Sequence, residues 1–243
     1  MKFLVFDIET VPLNFDSFSE SQQEYILRGT STEEEIEKKK NEMGLTPFTA
    51  QVICIGIQLI ERNEKGENQR LRFGAIAVDN TQADNEERKE LLTGDIPCFF
   101  YNEKTTLEKF WKLIAKYEPV HLISFNGRAF DAPFLMLRSA ILGVRPSRNI
   151  MSGTKYNYHL HTDLIDELTF YNPSFGYGAT KRFNFDFYTR AFGLTSPKGD
   201  GIDGSKVPEF FYAGKINEIA EYCLRDVKAT WELYLLWEKY LRF

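Results

Sequence analysis

The chain has 243 residues, 43% of them hydrophobic, enough to bury a sizeable core as one domain. Its 30 Lys and Arg against 35 Asp and Glu give a formal charge of −5. Such a chain is not an obvious binder of phosphate backbones, so any nucleic-acid contact must come from locally placed cations. Cys54, Cys98 and Cys223 have neither metal-ligand spacing nor the even count of a disulfide framework. No run reaches the roughly 18 apolar residues of a membrane span, and the apolar run after Lys2 is too short for a signal peptide. A cytoplasmic protein with reduced cysteines and no membrane partner is expected.

Phe3 to Glu9 reads as a buried strand that ends in acids. Residues 16–45 are charged and helix-prone, with cap residues in GTST, and predict two surface helices inserted before the second strand. The run EEEIEKKK reads as a solvated helix face. Gln51–Ile60 and Arg70–Val78 are β-rich, and ERNEKGENQ between them is a hairpin loop. Residues 79–97 look like a polar connector. Thr105–Tyr117 has helical spacing at Leu107, Phe110, Trp111 and Ile114, with Thr105 or Thr106 as cap. Pro119 opens a strand, VHLISF, and Asp131 opens a helix that ends at Gly143. His161–Leu168 reads as a further strand and Phe183–Phe192 as a helix. Residues 195–206 form a loop, and from Val207 the chain is helical in two pieces. Strands in a meander followed by alternating strands and helices predict an α/β fold with a mixed sheet. No Gly-rich phosphate loop follows a strand, which argues against nucleotide-binding folds.

Asp7 and Glu9 stand two apart on the first strand, so their side chains share a face. Two desolvated acids on one face repel unless something positive lies between them. A divalent cation does this, and oxygen donors suit Mg²⁺ or Mn²⁺; a pair of solvated acids at a strand end is the plain alternative. Asp131 in NGRAFDAPFL is placed to cap a helix, a role compatible with turning one oxygen toward a site. Asp226 lies on the last helix with Tyr222 four residues earlier, on the same helix face.

FDIET, NGRAFDAPFL and YCLRD, in that order, resemble the three exonuclease motifs of the DEDD superfamily. The tyrosine four residues before the last aspartate is similar to the DEDDy branch; Glu221 stands where the histidine branch has its histidine. The segment GDGIDGSKVPEFFYAGKINEIAEYCLRDVKAT resembles predicted exonucleases related to the proofreading domain of family B DNA polymerases. The resemblance runs from residue 3 to about residue 237, with residues 14–45 and 62–104 matching only in outline. It implies a ribonuclease H-like fold, with a five-stranded mixed sheet flanked by helices, over a single domain of residues 1–243 with the helical insertion at about 16–45. It implies a 3′→5′ exonuclease that acts on single-stranded nucleic acid with a free 3′ end, DNA in the first instance, and releases nucleoside 5′-monophosphates. Asp7, Glu9 and Asp226 would hold one divalent ion. Asp7 would also hold a second, with Asp131 acting largely through water, and Tyr222 would orient the attacking water. Asn126 resembles the family asparagine that touches the terminal nucleotide, against a role in the strand-end turn. Arg128 is a candidate phosphate contact, and Val11 and Pro12 a candidate wedge against the terminal base.

Asp163 and Asp166 read as supporting acids near the site. Phe170, Tyr171, Phe175, Tyr177, Lys181, Arg182 and Phe183 interleave rings with cations, a mixture that binds single strands by stacking plus phosphate contact or else packs a core. His121, His159 and His161 have no metal spacing. Two other readings stand beside the DNA exonuclease: a ribonuclease that trims RNA 3′ ends, separated from it by how the pocket meets the 2′-OH, and a non-catalytic nucleic-acid-binding module. The intact acid set speaks against the last. Association with a polymerase or repair protein is an open possibility.

Overall fold

The computed structural model describes residues 1–172, 178–196 and 202–243. Its centre is β1 (Lys2–Pro12), an apolar strand hydrogen-bonded on both edges. β2 (Ala50–Arg62) and β3 (Asn68–Val78) complete an antiparallel meander with it. β6 (Val120–Ser124) lies parallel to the other edge of β1, and β7 (His161–Asp163) parallel to β6. These five strands are joined by β4 (Arg88–Leu92) and β5 (Ile96–Tyr101), so the sheet has seven strands in the order β4-β5-β3-β2-β1-β6-β7. The expected count of five is therefore corrected. The stretch 79–97 reads as a polar connector because β4 is an edge strand whose Arg88, Lys89 and Glu90 carry the charge that edges use against further pairing. β5 turns Cys98 and Phe100 into the core.

α1 (Glu20–Ile26) and α2 (Glu33–Glu42) stand between β1 and β2. A capping box of Thr32 and Glu35 starts α2, as the GTST signal predicts. α3 (Glu103–Tyr117) is capped by Asn102, whose side chain accepts from the Thr105 N–H, rather than by Thr105 or Thr106. α4 (Asp131–Ile141) follows β6. The reading of His161–Leu168 as one strand is also corrected. β7 stops at Asp163, whose side chain caps α5 (Leu164–Leu168) by accepting from the Ile165 N–H at 3.3 Å. α6 (Phe185–Ala191), α7 (Val207–Tyr212) and α8 (Ile216–Tyr240) follow.

β1 divides the core by alternation. Leu4, Phe6 and Ile8 pack with Leu107 and Phe110 of α3 and Phe134 of α4. Phe3 and Val5 pack with Trp231 and Tyr234 of α8, and Val11 with Ile219 and Tyr222 of the same helix. α8 thus lies along the odd-numbered face of β1, the face of Asp7 and Glu9. Its close approach depends on Gly56, the partner of Asp7 across the β1–β2 ladder. A Cβ at Gly56 would stand 2.8 Å from Cys223 Sγ and 3.0 Å from Val227 Cγ2. Gly56→Ala is expected to push α8 outward, costing about 1–3 kcal/mol of stability by overpacking. Urea unfolding checks this, and an unchanged midpoint would show that the contact yields freely.

Candidate active site

The C-terminal half of β1 delivers Asp7 and Glu9 to the seam with α8. Glu9 pairs with Cys54, and a bulge separates it from Thr10. One carboxylate oxygen each from Asp7 and Glu9 and the sulfur of Cys223 lie within 4.8 Å of one another. Tyr222 and Asp226 stand one helical turn apart on α8, close enough that the Asp226 charge raises the proton affinity of the Tyr222 phenol. Asp131 comes from the start of α4, 123 residues from its partner, and its Oδ1 accepts the Ile8 N–H of β1 at 2.9 Å. The helix cap is Phe130, so Asp131 is the first residue of α4 rather than its N-cap.

The loop between β6 and α4 is held by Asp163. Its two oxygens accept the N–H of Asn126 at 2.7 Å and of Arg128 at 2.8 Å. Asn126 has φ +64°, and its carbonyl accepts from Ala129 and Phe130, so its backbone builds the turn. Its residue also borders a cleft of about 440 Å³ together with Asp7, Asp226, Phe125, Arg182 and Phe183. Arg128 is not on that border. Its guanidinium lies 3.8 Å above the Tyr158 ring and donates to the Ser152 carbonyl. Val11 is fully buried beside Tyr222. In this conformation it cannot wedge against a base, and its alternate place on β1 makes it a support for α8 instead. Pro12 is half-buried, and its carbonyl accepts from the Tyr212 hydroxyl.

The acids raise one another's proton affinity. Burial, then Asp131, Asp226 and Glu9, hold the Asp7 carboxyl well above the ordinary range. Burial and Asp226 do the same to Glu9. Burial pushes Asp131 up to about 7 against two opposing backbone hydrogen bonds, and Asp163 up to about 7. Burial and the charges of Asp226, Glu9 and Asp7 push the Tyr222 phenol upward, so it remains a hydrogen-bond donor rather than a base. Among the described residues nothing donates a hydrogen bond to the buried Glu9 carboxylate. A largely buried carboxylate that accepts no hydrogen bond from the described residues, set amid like charge, is a donor a divalent cation fits.

Several neighbours escape motif reading. Cys223 touches Asp7, at 3.6 Å to Oδ2, although its spacing from the other cysteines carries no signal. Being three residues before Asp226 on α8, it had to share that face, which is the clue available in the sequence. Phe125 and Phe185 line the cleft with ring centroids 4.5 Å apart. Within the aromatic and basic stretch, Arg182 and Phe183 line the cleft, and Arg182 pairs with Asp166 at 2.6 Å. Phe170 is exposed, while Phe175 and Tyr177 lie outside the described residues, as does part of the 195–206 loop. His121 and His161 bond Thr162 and Ser124, and burial lowers their pKa to about 4 and about 3; His159 is exposed.

A mixed sheet with helices on both faces, and a central strand that meets its parallel neighbour β6 beside a cleft, defines a ribonuclease H-like protein. The family described as "Predicted 3'-5' exonuclease related to the exonuclease domain of PolB" matches residues 67–241, and the chain belongs to it. The chain is 23% identical over 212 residues to DNA polymerase 1 of Pyrococcus abyssi, which covers 78% of this chain and 26% of that one. It is 24% identical over 147 residues to a DNA polymerase of Pyrococcus glycovorans, covering 54% of this chain and 18% of the relative. Among solved structures, the family B DNA polymerase of the hyperthermophilic archaeon Pyrobaculum calidifontis aligns with TM-score 0.54 at 17% identity, over 98% of this chain and 24% of that one. The chain spans about a quarter or less of the length of these polymerases.

Proposed function

We propose that this chain is a metal-dependent 3′→5′ exonuclease acting on single-stranded DNA ends. The observation that carries the reading is the meeting of Asp7 and Asp226 at one cleft, with Glu9 beside Asp7 and Asp131 fastened to the same strand. Asp7, Glu9 and Asp226 would hold one Mg²⁺ or Mn²⁺, and Asp7 a second with help from Asp131. Two such ions acidify an attacking water and stabilise the leaving 3′ oxygen of an in-line displacement. Asp131 has Oδ2 and the second lone pair of Oδ1 to offer, since Oδ1 already accepts the Ile8 N–H.

The remaining groups position the strand and the water. Tyr222 lies one helical turn from Asp226, and burial and the neighbouring acids push its phenol upward, so it can orient a water without taking its proton. Arg182 is the cation on the cleft wall, suited to the phosphate, and Phe183, 44% exposed, offers a ring to a terminal base. Stacking of this kind reads no sequence. The relatives, all DNA polymerases, support DNA as the first substrate to try.

A 5′-labelled single strand incubated with Mn²⁺ should shorten as a ladder, and a 3′-phosphate should block it. Covalently closed circles cut as fast as linear strands would overturn the exonuclease reading. Tyr222→Phe keeps the ring and removes the hydroxyl, so kcat should fall about 10–100-fold with little change in KM or melting temperature. Full activity with lowered stability would make Tyr222 a packing residue.

A further inference from the structure

Cys223 places a sulfur where an oxygen-only metal site would have none. Its Sγ is 3.4 Å from the Asp7 carbonyl oxygen and 3.6 Å from Asp7 Oδ2. An oxygen of Glu9 completes a set whose atoms all lie within 4.8 Å of one another. Glu9 is 8% exposed, and no described group donates a hydrogen bond to its carboxylate. A tetrahedral ion with a sulfur ligand at about 2.3 Å and an oxygen ligand at about 2.1 Å separates the two by roughly 3.6 Å, the spacing found here between Cys223 and Asp7. Thiolate donors draw softer ions than Mg²⁺, Zn²⁺ and its chemical neighbours among them.

We propose that Asp7, Glu9 and Cys223 form a binding site for a thiophilic divalent cation, Zn²⁺ or Cd²⁺, which competes with Mg²⁺ or Mn²⁺ and silences the nuclease. On binding, the Cys223 S–H gives its proton to solvent and a metal–sulfur bond forms; nothing is oxidised or reduced. The ion takes up Asp7 and Glu9 at the seam with α8, so these acids no longer serve hydrolysis. The silencing clause rests on the nuclease reading, whereas the binding clause does not.

The test titrates the full chain, freed of metal by chelator, with Cd²⁺ and follows the sulfur-to-cadmium charge-transfer absorption. One equivalent should produce the band in the wild-type protein and in Cys54→Ser, which removes the neighbouring thiol. Cys223→Ser should lose the band and weaken Cd²⁺ affinity about tenfold or more, and Zn²⁺ should displace Cd²⁺ from the wild type. Thermal melting of each variant without metal establishes that it is folded. No band in the wild type, or a band that survives in folded Cys223→Ser, overturns the site. If the band behaves as expected but no DNA is cut under Mn²⁺, the nuclease reading fails and the cation site stands. If DNA is cut under Mn²⁺ at an unchanged rate with saturating Zn²⁺ present, the silencing clause fails alone.

Discussion

Asp7→Asn and Asp226→Asn are each expected to lower Mn²⁺-dependent turnover by at least about 1,000-fold, the scale seen when one member of a cooperating catalytic set is removed. Each substitution keeps the side chain's shape and removes its charge. Asp7 is the acid on which the others converge: Asp131, Asp226 and Glu9 all raise its proton affinity. A cation held as proposed would relieve that repulsion, so the loss of Asp7 should appear in cation binding before it appears in chemistry. Neutralising Asp7 also removes like charge from a buried cluster, and the metal-free variant should melt at or above the wild-type temperature. Single-turnover assays and calorimetry on the same preparations check both halves. An Asp7→Asn variant with more than a tenth of wild-type activity would move the chemistry to other residues.

The metal-free protein is expected to lose stability as the pH rises from about 5 to 8. Asp131 and Asp163 are pushed up to about 7, and Asp7 and Glu9 are also raised, whereas in the unfolded chain such groups titrate near 4. Between those values the folded state binds more protons than the unfolded one, so unfolding free energy falls with pH. The favourable contribution is complete below the unfolded values and is lost as pH passes through about 7. A shift of three pH units corresponds to up to about 4 kcal/mol for one group, an upper bound because buried sites relax. On the proposed reading millimolar Mn²⁺ should reverse the trend, since a cation held only by the deprotonated acids of the folded state stabilises that state. Melting temperatures at pH 5 and pH 8, in chelator and in Mn²⁺, decide it. A flat profile in chelator would mean that the acids are solvated and ordinary.

What could be read from the sequence was whatever repeats over short range. Two acids at spacing two on an apolar strand, and a tyrosine and an aspartate at spacing four on a helix, each fix a shared face without reference to the rest of the chain. The meander, the inserted helices and the last helix follow from the same periodicities. Contacts between distant segments were not legible. Nothing near Asp131 indicates that it accepts the Ile8 N–H, and nothing near Asp163 shows that its carboxylate fastens the Asn126–Arg128 turn. β4 was hidden because edge strands are made polar. β7 was overextended because its three residues run directly into α5. The position of Val11 after the first motif points to the substrate, while its burial depends on where α8 comes to rest.

The alternation along β1 also restricts how this gene can change. Odd residues of the strand carry Asp7 and Glu9, and even residues carry Phe6 and Ile8 into the opposite layer. Inserting or deleting one residue upstream of Asp7 within the strand would exchange the two sets, sending carboxylates into hydrocarbon and benzyl groups into the cleft. Two-residue changes preserve parity and only slide the site along the seam. Lineages of this protein should therefore show length changes in β1 by twos or not at all, and single-codon insertions should accumulate instead in the α1–α2 region and the 63–67 hairpin turn, where no layer depends on odd or even.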